Sequence, residues 1–441
     1  MKATTTEQLK SLARTYTIFF VVLAFAHGCG NDFACRVSLQ SSSSARSETN
    51  TKSNVKHEVV STPETVLKKP VAPVKQNESE TFQNSPLGNN KSTWILGYYV
   101  GYQSNLYPPE TINYDALTHL AVGTIFPNDN GSLDTELNQG SEENGSRLAE
   151  ILVDRAHNKG VKVLAMLGGA GMRVKLVAAT TPSNLNSFVA SLVAYARDQH
   201  GMDGLDLAWE PIKAEDEKQF EAFVDALRQA WPEIILTFPT GYIYSNRDKA
   251  NPFIARIASK LDQINIQSYS MAVALPGSEW ESWHSSALRG QSSFTPTSIS
   301  ESVKMYLGIG VPPSKLGVGI GFFGICYSTP VTGPRQKLNG SRIIASGNSM
   351  SYSKIMQEYY PYAKYSYDQF SDVPYLTLDP PVNDCSYISY EDEKSIIRKA
   401  EYVKKEGLGG AIIWTVNQGY LPDAPSEKRD PLMTVIQENF Q

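Results

Sequence analysis

The residues best able to do chemistry lie in one short run, Asp203-Gly204-Leu205-Asp206-Leu207-Ala208-Trp209-Glu210. Read as a β-strand, it alternates. Asp206, Ala208 and Glu210 share one face, and Leu205, Leu207 and Trp209 share the other. A carboxylate at a strand end is usually a surface or structural group. A column of carboxylates on an inward face is harder to explain that way, because a buried carboxylate costs several kcal/mol unless it is hydrogen-bonded or neutralised. Glu210, the last acid, emerges at the end of the strand, where the column reaches the rim.

Elements on both sides must hold that strand. Short β-rich runs recur at Trp94–Val100, His119–Phe126, Val161–Leu167, Gly204–Trp209, Ile234–Phe238, Gln263–Tyr269, Lys315–Phe322 and Ala411–Val416. Between them lie segments with helical spacing, such as Phe220, Phe223, Val224, Leu227 and Trp231 after the fourth run. Eight alternations of strand and helix predict a parallel (β/α)8 TIM barrel, with chemistry at the C-terminal strand ends. A doubly wound open sheet is disfavoured, because Gly97-Tyr98-Tyr99-Val100-Gly101 is not a GxGxxG phosphate loop. The seventh and eighth strands are separated by Gly324–Gly410, too long for an ordinary connection. The Tyr-rich stretch 325–387 predicts a small α+β insertion, followed by a helix over Glu391–Glu406.

The chain has 441 residues, 41% hydrophobic and 10% aromatic, enough for a large core. Residues 1–92 carry 11 basic and 7 acidic side chains, which leaves 29 basic and 38 acidic, a balance of −9, for residues 93–441. That excess of acid argues against nucleic acid as a partner. Residues 1–29 read as an export signal, with Lys2, Lys10 and Arg14 ahead of an apolar run Tyr16–Ala26 too short to span a bilayer. Ala26-His27-Gly28-Cys29 is a loose match to a lipoprotein box. Two fates stay open: plain secretion, or a membrane tether through a lipid on Cys29. Residues 30–92 contain the run Ser41–Ser44 and recurrent prolines, with few aromatics, and read as a disordered tether to a barrel domain at 93–441. No cysteine pair has CxxC spacing, so neither a metal nor another cofactor is expected; Cys326 and Cys385 are either a disulfide or two buried thiols.

The strand with Asp203, Gly204, Asp206 and Glu210 resembles the family-18 glycoside hydrolases, the chitinase-like family, whose hallmark is DGxDxDxE. Ala208 stands where that pattern has its third acid. Further likenesses follow in the family's order: Gly97-Tyr98-Tyr99, Thr118-His119, Gly160–Leu164 leading to Gly168-Gly169, Trp283–Leu288, Lys315–Ile320, Tyr390–Ser395 and Gly407–Trp414. The resemblance implies Glu210 as the acid that protonates the glycosidic oxygen, while the substrate's own N-acetyl carbonyl attacks the anomeric carbon. It implies Tyr98, Asp206, Tyr269 and Trp414 as substrate-binding residues, Trp414 as the floor on which a sugar ring stacks, and a polysaccharide or oligosaccharide as partner. Ala208 removes the acid that would orient the acetamido group. Thr124, Met166 and Ser270 also depart from the family pattern. Three functions stay open, in this order: a chitinase-like hydrolase acting on N-acetylglucosamine-containing glycans, a catalytically inactive lectin-like relative, and an anchored scaffold for a protein partner.

Overall fold

A computed structural model describes residues 93–272 and 279–440. The expected export signal, Cys29 and the tether lie outside these residues. The first strands are β1 (Trp94–Val100), β2 (His119–Pro127), a short β3 (Leu133–Asp134) and β4 (Lys162–Ala170). They are followed by β5 (Gly204–Glu210), β6 (Ile235–Gly241), β7 (Gln263–Gln267) and β8 (Leu316–Gly321). After an insertion comes β14 (Gly410–Trp414). The order β1-β14-β8-β7-β6-β5-β4-β2 is closed by a parallel β1–β2 ladder, so eight parallel strands form the expected barrel. β3 pairs antiparallel to β2 outside this closure and was not foreseen.

The alternation read on β5 holds. Leu205, Leu207 and Trp209 belong to the large core between strands and helices, where Trp209 meets Phe220 edge-on with centroids 5.6 Å apart. Ala208 belongs to a separate cluster with Leu96, Tyr98, Leu164, Met166, Tyr269 and Ile412, which fills the barrel interior. Gly204 is required by close approach: a Cβ there would lie 2.0 Å from the Ile235 carbonyl oxygen. Asp203 serves the opposite end of the barrel. Its carboxylate accepts from the Val163 amide at 2.8 Å and from Lys162 Nζ at 2.7 Å, and lies 2.9 Å from His157 Nε2. It therefore ties the β4–β5 entry and takes no part in chemistry at the other end.

Three strands end earlier than in the sequence reading, while β4 and β6 each run three residues further, to Ala170 and Gly241. β7 stops at Gln267, because Ser268 N–H turns back to the Ile266 carbonyl at 2.8 Å and Ser270 takes φ 55°. β8 stops at Gly321, since Phe323 begins a strand of another sheet. β14 stops at Trp414, ahead of a 3-10 turn at Val416–Gln418.

The insertion is a five-stranded antiparallel sheet of β9 (Phe323–Tyr327), β10 (Ile343–Ser351), β11 (Lys364–Asp368), β12 (Val373–Val382) and β13 (Cys385–Ser389), in the order β10-β9-β13-β12-β11. Cys326 and Cys385 are joined by a disulfide between neighbouring strands, Cα atoms 5.6 Å apart. The next helix is Glu393–Lys405, two residues shorter at its start than expected. Asp392 caps it, accepting from Ser395 N–H at 2.8 Å, while Glu391 is drawn inward to a fully buried ion pair with Lys399 at 2.6 Å. Among the described residues no helix is long and apolar enough to cross a membrane.

Candidate active site

Asp206 is fully buried in the barrel interior. Its Oδ1 accepts from the Tyr98 hydroxyl on β1 at 3.1 Å and from the Thr237 hydroxyl on β6, the residue beside it in register. Its Oδ2 has no hydrogen-bond partner among the described residues. Burial pushes the Asp206 pKa up to about 7, against the opposing pull of the two hydroxyl donors. Glu210 stands two steps further along the same face, at the C-terminal end of β5, and is partly exposed. Burial of its carboxyl and the nearby Asp206 charge raise its pKa to about 7, and Gln267 Nε2 opposes this by donating to Oε1 at 2.9 Å. A carboxyl that titrates near neutrality at the strand end can give up a proton at ordinary pH.

Between the two acids the wall is apolar. Ala208 is fully buried; register places Gly168 beside it and Met166 beside Asp206. The Met166 sulfur lies 3.9 Å from the Thr124 hydroxyl, and a Cβ on Gly123 would meet that sulfur at 3.0 Å. Met166 and Ala208 belong to the same interior cluster, so apolar side chains fill the region where the family pattern has its third acid.

Aromatic residues line the mouth. Trp414, partly exposed at the end of β14, leans on Tyr98 with centroids 5.2 Å apart and planes at 55°. Tyr269 meets Phe323 edge-on at 5.7 Å, and burial, then the charges of Glu210 and Asp206, raise its pKa. Tyr98, Asp206, Glu210, Tyr269 and Trp414, all singled out from sequence, thus come together around one interior. Gln267 and Thr237 were missed. Gln267 stands two residues before Tyr269, on the same face of the strand read at Gln263–Tyr269, a position that could have marked it, whereas Thr237 reaches Asp206 only through the β5–β6 register. Ser270 makes backbone bonds here: its carbonyl accepts from the Tyr242 hydroxyl at 3.0 Å. The insertion closes part of the rim. Asn348 of β10 accepts from Gln103 Nε2 at 2.8 Å and from Gln418 Nε2 at 2.9 Å, beside the Thr415–Gln103 bond of 2.8 Å.

The family model for glycosyl hydrolases family 18 matches residues 95–419. The chain belongs to glycoside hydrolase family 18. Among relatives in that family, a chitinase-like effector of Moniliophthora perniciosa is 23% identical over 411 residues, covering 79% of this chain and 87% of the relative. Chitotriosidase-1 of Mus musculus is 27% identical over 292 residues, 60% of each chain. The fold matches the Group IV chitinase of Ostrinia furnacalis in complex with allosamidin at TM-score 0.67 and 21% identity, covering 79% of this chain and 98% of that one. It matches a family-18 chitinase of Cycas revoluta in complex with (GlcNAc)3 at TM-score 0.64 and 23% identity, covering 79% and 100%.

Proposed function

We propose that this family-18 chain hydrolyses N-acetylglucosamine-containing glycans outside the cytoplasm, with Glu210 as general acid and with turnover held down by Ala208. The observation that carries the reading is the Glu210 carboxyl at the C-terminal end of β5, held by Gln267 at 2.9 Å in surroundings whose burial raises its pKa to about 7. The substrate class is supported by the Cycas chitinase bound to (GlcNAc)3 and by the chitotriosidase relative. The export reading is supported by the apolar run Tyr16–Ala26.

In this scheme the acetamido carbonyl oxygen forms a bond to the anomeric carbon as the glycosidic C–O bond breaks. The bonding electrons leave with the glycosidic oxygen, which takes the proton of Glu210. Positive charge then develops on the oxazolinium ring, and water, deprotonated by the returned Glu210 carboxylate, opens that ring. A carboxylate at position 208 would oppose the charge and accept the acetamido N–H. Ala208 offers neither, and Asp206 lies roughly 6 to 7 Å deeper along the strand. Losing one such group commonly costs about 10²- to 10³-fold in rate.

A second reading, glycan binding without turnover, is favoured by the fully buried Ala208, which shares an apolar cluster with Met166 where the family pattern has a third acid. Release of fluorophore from a chitooligosaccharide glycoside, measured alongside adsorption to insoluble chitin, separates the two. Slow release with adsorption supports hydrolysis; adsorption with no release supports the lectin-like reading; neither refutes both.

A further inference from the structure

We propose that the inserted sheet carries a second saccharide-binding site, a surface cleft on β11 that holds an uncharged stretch of the same kind of glycan; the choice of glycan rests on the function proposed above. The β11–β12 ladder sets Lys364 opposite Thr377, Ser366 opposite Tyr375 and Asp368 opposite Val373. Alternation along β11 therefore turns Lys364, Ser366 and Asp368 to one face. Tyr365 and Tyr367 turn to the other, where the Tyr365 hydroxyl donates to Asp392 at 2.9 Å and the Lys394 ammonium lies 3.7 Å from the Tyr367 ring. The first face and the loop 332–336 enclose a cleft of about 610 Å³.

The floor of this cleft is fixed by partly buried polar contacts. Asp368 Oδ2 accepts from Arg335 Nη1 at 2.6 Å and Nη2 at 2.5 Å and lies 2.9 Å from His284 Nε2. His284 is fully buried, its other ring nitrogen 3.1 Å from the Tyr387 hydroxyl. Arg335 is a non-glycine residue at φ 58°, a conformation retained where surroundings force it and often found at ligand clamps. Its guanidinium lies 5.4 Å from the Trp283 ring centroid and 5.5 Å from that of Phe370. Cδ1 and Cε1, along one edge of Phe370, lie close to Gly290, where an added Cβ would stand 2.9 Å and 3.0 Å from them. Phe370 is thus held along that edge and yet 65% exposed.

A fixed, exposed aromatic ring ringed by polar groups suits a pyranose, whose C–H face packs on the ring while its hydroxyls meet donors and acceptors at the rim. Lys364 and Gln369 are exposed, and Gln336 and Ser366 are partly so. A phosphate or other strong anion is a poorer fit, because the Arg335 fork is already occupied by Asp368, whose ionised carboxylate also lines the cleft. The site is distinct from the barrel mouth. β11 is the edge of the sheet opposite β10, which carries Asn348 at the rim, and four strand spacings separate them by roughly 19 Å. Two sites on one polymer raise retention by effective concentration without tightening either one.

The test uses the whole protein and two substrates. Phe370→Ala and Lys364→Ala should each keep the melting temperature and leave hydrolysis of a short fluorogenic chitooligosaccharide unchanged, while adsorption to insoluble chitin weakens about tenfold. In a Trp414→Ala background, where the barrel mouth is impaired, residual binding of N-acetylglucosamine hexasaccharide followed by calorimetry should vanish when Phe370→Ala is added. Unchanged adsorption by both single variants, or residual hexasaccharide binding indifferent to Phe370→Ala, overturns the second site while leaving the barrel reading intact. Failure of the natural protein to bind either chitin or the hexasaccharide overturns both.

Discussion

Gln267→Leu removes the one side-chain donor to Glu210 among the described residues and leaves a residue of similar length. The bond is 2.9 Å from Nε2 to Oε1, and donation favours the ionised carboxylate. A hydrogen bond to a charged group is worth about 1.5 to 3 kcal/mol, and at 1.36 kcal/mol per pKa unit its loss corresponds to a rise of roughly 1 to 2 units. Glu210 starts at about 7, so the variant should titrate near 8 to 9. A general acid works while protonated. The alkaline limb of kcat should therefore move upward by 1 to 2 units in the variant, extending activity to higher pH. The assay is hydrolysis of a fluorogenic chitooligosaccharide at saturation between pH 4 and 10. Carboxyl 13C titration of glutamate-labelled protein, with Glu210→Gln to assign the resonance, reads the same group without turnover. An unmoved or lowered titration would refute the argument that burial raises Glu210 while Gln267 holds it down.

Ala208→Asp places a carboxylate between Asp206 and Glu210 and should raise turnover on N-acetylated oligosaccharides by about 10- to 100-fold, up to the lower end of the 10²- to 10³-fold such groups supply; equal or lower turnover in a folded variant counts against substrate assistance. Trp414→Ala should weaken oligosaccharide binding tenfold or more in calorimetry and cost less than the roughly 3 to 5 kcal/mol of a fully buried aromatic, because Trp414 is partly exposed. Severe unfolding with unchanged affinity would assign it to the core instead. Asp206 is raised from 3.8 to about 7, so the native state holds its proton where the unfolded chain has lost it, and stability is lost as pH rises from about 4 through 7. The shift amounts to at most about 4 kcal/mol. Asp206→Asn should flatten the fall in melting temperature over that range, and an identical pH slope in both proteins would contradict the buried-acid account.

The barrel was legible because its cause is local. β5 alternates apolar and inward-facing residues one by one, and the helices outside it show helical spacing of Phe220, Phe223, Val224 and Leu227. The strand ends were less legible because they depend on what the next residues bond to. Tyr269 has a strand-like neighbourhood in sequence, but Ser268 and Ser270 turn the chain away from the ladder after Gln267. The five site residues carried a family pattern and were recognisable by type. Their partners were not, since Thr237 reaches Asp206, and Gln267 reaches Glu210, across strands distant in sequence. The Arg335–Asp368–His284 contacts join three separate segments, which no local pattern brings together.

The central claim is that Glu210 delivers the proton. The most direct measurement is Glu210→Gln, with hydrolysis of a chitooligosaccharide and its binding followed on the same preparation. Glutamine keeps the shape and loses the proton, so turnover should fall to background while affinity stays within about threefold of the natural protein. Hydrolysis by the natural protein that survives Glu210→Gln would contradict the account.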